Sequence, residues 1–225
     1  MIYDSATAIA RGRVRGANVT VSADFSVGAS VGFAVLCATA AGAAAEVGGH
    51  DRSGVVVTEL FSELKFRAAD RGALERDFAG FVTAAALGAA EQAGLRPDGA
   101  CAAGTGMNLS VVALFDGRLR FAGSGEGTLI LARRGDIRRL DPAPPGTAAE
   151  GALRHSGGVP PMAAGDTLVS VTRRISAAEE RRTHILLARG RSRTADEVAL
   201  ALLDSYVRLS DPAAVETGFC VVKLR

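Results

Sequence analysis

The sequence predicts an α+β fold: two antiparallel sheets packed face to face, with helices outside. Three observations carry that expectation. Short β-branched runs recur along the chain, two helical segments follow one another with no strand between them, and a strand closes the chain after further helix. Strands grouped apart from paired helices suit such layers better than a doubly wound parallel sheet.

The first strands are expected over Asn18 to Phe25 and Gly32 to Cys37. Helical periodicity then covers Ser53 to Ala68, where Val56, Leu60 and Leu64 fall four apart, and Ala73 to Ala93, rich in Ala, Leu and Phe. Strands follow at Leu109 to Phe115, Arg118 to Ala122 and Thr128 to Arg133. Asp116-Gly117 joins the first two of these as a tight hairpin, and Arg134-Gly135-Asp136 before Ile137 gives a second. The middle of the chain therefore reads as an antiparallel meander. Thr167 to Val171 is a further strand, and Ser176 to Leu187 a helix. Thr194-Ala-Asp-Glu197 is a capping box that opens another helix running to about Leu209, before a closing strand at Phe219 to Leu224.

The chain has 225 residues, 48% of them hydrophobic, and no long Pro/Ser-rich linker, so a single domain over 1–225 is expected. The breaker-dense stretches, Asp141 to Gly146 and Ser156 to Pro161, are short enough to be surface loops. There is no internal repeat.

A net charge of +2 gives no reason to expect a nucleic-acid or membrane partner. The basic residues are nearly all Arg, clustered at Arg133, Arg134, Arg138 and Arg139 and again at Arg173, Arg174, Arg181 and Arg182. These read as solvated strand ends. Cys37, Cys101 and Cys220 are too few and too scattered for a disulfide framework, which implies buried thiols in a reducing, cytoplasmic setting. No apolar run is long enough to cross a membrane.

Several segments line up, in order, with one enzyme family. Gly12-Arg13-Val14-Arg15-Gly16-Ala17-Asn18-Val19-Thr20 is similar to Gly-x-x-Arg-x-x-Asn-Glu-Asp, and Phe33-Ala34-Val35-Leu36-Cys37-Ala38 to Phe-Ala-Val-x-Asp-Gly. Ala122 to Gly127, followed by Leu129 to Gly135, is similar to Ala-Asn-x-Gly-Asp-Ser-Arg and its neighbouring strand. Ala164 to Ile175 follows Gly-Asp-x-Leu-Leu-Leu-x-Ser-Asp-Gly-Leu, and Glu216 to Lys223 follows Asp-Asp-Asn-Ile-Thr-Val-Val-Val. These are the motifs of the metal-dependent type-2C Ser/Thr protein phosphatases (PPM), which the chain resembles from about Gly12 to Arg225. The resemblance implies a four-layer α-β-β-α sandwich, two antiparallel sheets flanked by antiparallel helix pairs.

It also implies a loss. Where the family holds two divalent cations on Asp residues, this chain has Thr20, Cys37, Arg173 and Thr217, and Ala38 replaces the Gly after the bridging Asp. Hard divalent cations need oxygen ligands, and a guanidinium at 173 would repel them. The resemblance thus implies a catalytically inactive pseudophosphatase without a cofactor, a regulatory or binding module for a phosphoprotein, a protein kinase or another signalling protein. Arg15 matches the residue with which the family grips substrate phosphate, and Arg173 would face it, so the pair is a candidate phosphate-binding site.

Two other readings stay open. Glu46-Val47-Gly48-Gly49-His50-Asp51 is similar to the family's Gly-Gly-His segment, and Glu46, His50 and Asp51 could hold Mn or Mg in a residual Ser/Thr phosphatase. The third is a purely structural subunit whose old cleft is filled by apolar side chains. Cys37 would be a nucleophile only with a cationic neighbour to depress its pKa. No Gly-x-Ser-x-Gly or complete phosphate loop is present.

Overall fold

The computed structural model describes residues 2–10, 18–25, 31–39, 52–92, 107–115, 118–124, 127–140, 154–155, 161–191, 193–209 and 216–225. The elements run β1 Tyr3–Ala10, β2 Asn18–Asp24, β3 Val31–Thr39, α1 Arg52–Arg67, α2 Arg71–Arg76, α3 Phe78–Gln92, β4 Met107–Phe115, β5 Arg118–Ser124, β6 Thr128–Arg133, β7 Asp136–Arg139, β8 Arg154–His155, β9 Thr167–Val171, α4 Ala177–Arg189, α5 Ala195–Leu209 and β10 Thr217–Leu224. They form two five-stranded antiparallel sheets, ordered β1-β10-β9-β6-β7 and β2-β3-β4-β5-β8.

Why the central strands are apolar throughout follows from the layering. On β3, Phe33, Val35 and Cys37 join a core with Val57, Leu60 and Leu64 of α1 and Phe81 and Val82 of α3. The alternate residues Ala34 and Leu36 enter a second core with Leu129, Leu168, Cys220 and Val222 of the opposite sheet. On β10 the alternation is Phe219 and Val221 outward, against Val198, Leu202 and Tyr206 of α5. Both faces of these central strands are covered, so they need apolar residues at nearly every position. The layers are α4/α5, the β1-containing sheet, the β2-containing sheet, and α1/α3. The α+β sandwich read from the sequence is the observed architecture.

Two readings are corrected, and one strand was not read at all. The segment Ala73 to Ala93 is not one helix: it breaks at Asp77, whose Oδ1 accepts the Gly80 N–H at 2.9 Å and caps α3. The meander is not one sheet either. Hairpin β4-β5 lies in one sheet and hairpin β6-β7 in the other, because the chain changes sheet between Ser124 and Thr128. β1 has no strand signal, since Tyr-Asp-Ser-Ala-Thr-Ala-Ile-Ala is an edge strand with one face half wet. Only pairing with β10, from Tyr3↔Leu224 to Ala10↔Thr217, defines it.

The helix signals in Ser176 and Thr194 hold at atomic detail. Both carry complete capping boxes, Ser176 with Glu179 and Thr194 with Glu197. The Asp4 carboxylate adds a tertiary cap by accepting the Ala195 N–H at 2.9 Å and binding Arg225 at 2.8 Å. Burial acts to raise the Asp4 pKa, but these bonds outweigh it and hold the carboxyl below its ordinary value. No helix among the described residues is long and apolar enough to cross a membrane.

Candidate functional site

Of the residues that the resemblance singles out, the described ones, Thr20, Cys37, Ala38, Arg173 and Thr217, lie at one end of the sandwich, where β2 begins, β3 ends, β9 ends and β10 begins. They do not share one face there. Thr20 pairs with Cys37 across β2-β3, and directly paired residues point to the same side of a sheet. Cys37 is fully buried in the core under α1 and α3, so both positions face that helix layer. Thr217 has the parity of Phe219 and faces the opposite layer, α4/α5.

Between these faces the sheets close on each other. A methyl group built on Gly218 would sit 2.6 Å from Val21 Cγ2, 2.7 Å from Val19 Cγ1 and 3.0 Å from Thr172 Cγ2. Only a residue without a side chain fits. The Thr172 hydroxyl accepts the Gly218 N–H at 3.0 Å, and the Thr172 N–H donates to the Gly218 carbonyl at 3.1 Å, which locks β10 to the end of β9. Ala38, paired with Val19, is buried beside this contact.

Arg173 is the one formal charge among the five positions. Its Nε donates to Thr217 Oγ1 at 2.7 Å, and its two terminal nitrogens fork onto the Glu179 carboxylate at 3.1 and 2.5 Å. One terminal nitrogen also donates to the Arg174 carbonyl, and the guanidinium lies 5.7 Å from the Tyr206 ring centre. Arg173 is thus built into the packing of α4 and α5 on their sheet, while Arg174 is exposed.

Glu179 is buried with a side chain 8% exposed. Burial pushes its carboxyl pKa up, but the Arg173 fork and the Ser176 N–H push it down more strongly, leaving it below the ordinary carboxylate range. Tyr206 hydrogen-bonds Thr183 at 3.2 Å and packs edge-on against Phe219. Its phenol is raised to about 12, chiefly by burial. Sequence reasoning found Arg173 and Thr217 but missed Glu179 and Tyr206, their partners. The capping box at Ser176 was the available signal, since it fixes where the Glu179 carboxylate sits.

Chemically, this end has no set of hard oxygen ligands among its described residues. Thr20, Cys37, Ala38, Arg173 and Thr217 supply no carboxylate, and the Glu179 carboxylate carries Arg173 and the α4 cap. No three His, Cys, Asp or Glu side chains among the described residues come together as a metal centre would require. The described residues therefore do not fit a two-cation site. Arg15, Glu46, His50 and Asp51 lie outside the described residues, as do Cys101, Asp141 to Gly146 and Glu126. Cys37 is sealed beneath α1 and α3, without the partial exposure that a nucleophilic thiol needs.

No protein-family model matches the sequence, and no curated protein matches it. Solved structures do. The serine/threonine phosphatase of S. agalactiae superposes with a TM-score of 0.63 at 15% identity, covering 99% of this chain and 100% of its own. The Mycobacterium tuberculosis serine/threonine phosphatase PstP gives 0.58 at 19% identity with 100% of both chains covered. PppA of Pseudomonas aeruginosa, described as a key regulatory component of its T6SS, gives 0.58 at 16% identity, covering 99% and 98%. At these identities the likeness establishes the fold: the chain has the sandwich of the type-2C phosphatases.

Proposed function

We propose that this chain is a pseudophosphatase, a type-2C-fold module that regulates Ser/Thr phosphorylation signalling by binding a phosphoprotein, a protein kinase or another signalling protein rather than by hydrolysis. The observation that carries the reading is the state of Arg173. The resemblance puts this guanidinium in the place of a ligand Asp, and it is bonded to Thr217 and Glu179. The close approach of Val19 and Val21 to Gly218 supports it, since the two sheets pack directly on each other between Thr20 and Thr217.

Two measurements test the proposal. Calorimetric titration of the purified chain with manganese should give no saturable heat, and an aryl phosphate or a phosphopeptide should not be turned over in its presence. A stoichiometric manganese site, abolished together with turnover by Glu46→Ala or His50→Ala, would replace the proposal with the residual phosphatase. Arg15 and Arg173 as a phosphate-reading pair is part of the same proposal. It requires Arg173 to exchange Glu179 for a phosphate, so phosphopeptide affinity should rise in Glu179→Gln and fall in Arg173→Ala.

A further inference from the structure

At the far end of β9 from Arg173, where Thr167 stands ~13 Å along the strand from Val171, the β6-β7 hairpin, the 161–167 segment and the C-terminus of α4 enclose a cavity of about 190 Å³. Its floor is apolar, formed by Ala132, Ile137, Leu187 and Ala188, and Arg134 and Arg191 stand on its rim.

The rim is built, not incidental. Gly135 adopts φ 97°, and Arg134 beside it adopts φ 45°, a left-handed conformation that a long side chain takes at a cost. A methyl group on Gly135 would lie 2.6 Å from the Arg191 guanidinium. The glycine makes the turn, and the Arg191 guanidinium lies against it.

The electrostatics of the rim are unbalanced. The third arginine, Arg133, is neutralised inside the wall: Asp166, 1% exposed, accepts from it at 2.9 and 2.6 Å. Arg134 and Arg191 have no such partner among the described residues. A helix C-terminus would ordinarily disfavour an anion next to it. Here the Lys223 ammonium, held by the carbonyls of Gly190, Arg191 and Arg193 just beyond α4 at 3.2, 3.0 and 2.5 Å, sets a positive charge beside that helix end.

We infer that this groove is a docking site for an acidic peptide segment of a partner protein, which seats one aliphatic side chain on the Ile137–Leu187 floor and a neighbouring carboxylate between Arg134 and Arg191. Charge complementarity selects the partner: two uncompensated guanidiniums beside an apolar floor match an Asp or Glu adjacent to Leu, Ile or Met. The site goes beyond the regulatory reading and stands whether or not the other end of the sandwich hydrolyses phosphate.

The test is to pan a random-peptide display library on the immobilised chain, then to measure the enriched consensus as a labelled synthetic peptide by fluorescence anisotropy at moderate salt. The expected consensus places Asp or Glu beside Leu, Ile or Met. Its affinity falls about tenfold in each of Arg134→Asn and Arg191→Gln, the Asn chosen because it tolerates positive φ. Ala188→Glu, on the exposed face of α4, abolishes binding, while Arg182→Gln, which removes the same charge elsewhere on that helix, leaves it unchanged. Four results would overturn the inference: no acidic enrichment; equal affinity for the Arg134→Asn, Arg191→Gln double variant; displacement of the peptide by a lower concentration of duplex DNA; or self-association of the chain that the same substitutions abolish.

Discussion

Replacing Arg173 by Ala strands a buried carboxylate, and the size of the loss can be worked from the fork itself. Each charge-assisted bond, at 3.1 and 2.5 Å, contributes about 1.5–3 kcal/mol, and breaking a buried ion pair costs about 3–5 kcal/mol. Two features place this case at the lower end: the Arg173 side chain is 21% exposed, and the Ser176 N–H, 2.8 Å away, still serves Glu179. The expected loss is ~3 kcal/mol, which in a chain of this size lowers Tm by roughly 6–12 °C. The assay is urea unfolding of the wild type, Arg173→Ala, Glu179→Gln and the double variant, with Gln retaining the capping box. The cycle should return a coupling of ~2 kcal/mol. pH adds a signed check. The folded pKa of Glu179 is depressed, so its stabilisation is present above the unfolded value near 4.5 and is lost as pH falls through the folded value. Without Arg173 the same carboxyl protonates readily, and the gap between the two proteins should shrink in acid. A loss under ~0.5 kcal/mol at neutral pH, or no coupling, would refute the account of Arg173 as a locked structural group.

Three further outcomes are expected. Gly218→Ala should cost about 1–3 kcal/mol through overpacking against Val19 and Val21, read as a shift in the urea midpoint at constant slope. Asp166→Asn should destabilise the chain by about 2–3 kcal/mol, since Asp166 Oδ2 holds both Arg133 and the Ala163 N–H, and limited proteolysis should then cut nearer Pro161. Arg173→Asp should not create aryl-phosphatase activity in manganese, because a two-cation centre works as a unit and the other three positions that the resemblance matches to ligands, Thr20, Cys37 and Thr217, still carry no carboxylate; measurable turnover in that variant would contradict the pseudophosphatase proposal.

Much of the fold was legible in the sequence because it is written in local patterns. Ser176-x-x-Glu179 and Thr194-x-x-Glu197 each satisfy their own helix start within four residues, so their geometry needs no distant partner. The unbroken apolar runs of β3, β4, β9 and β10 similarly announce strands covered on both faces. β1 was illegible for the opposite reason: an edge strand of Ala, Ser and Thr has no burial pattern until β10 lies beside it. The candidate site divides the same way. That Thr20, Cys37, Arg173 and Thr217 are not carboxylates is a matter of sequence alone. Where those side chains point is not, because strand parity near a closing contact depends on what packs above and below. Tertiary structure put Thr20 and Cys37 under α1, Thr217 and Arg173 under α4 and α5, and the Arg173 guanidinium on Glu179. It also brought Arg134 and Arg191 to one groove, with Lys223 beside the end of α4, since only the packing of a hairpin against a helix terminus joins residues so far apart in the chain.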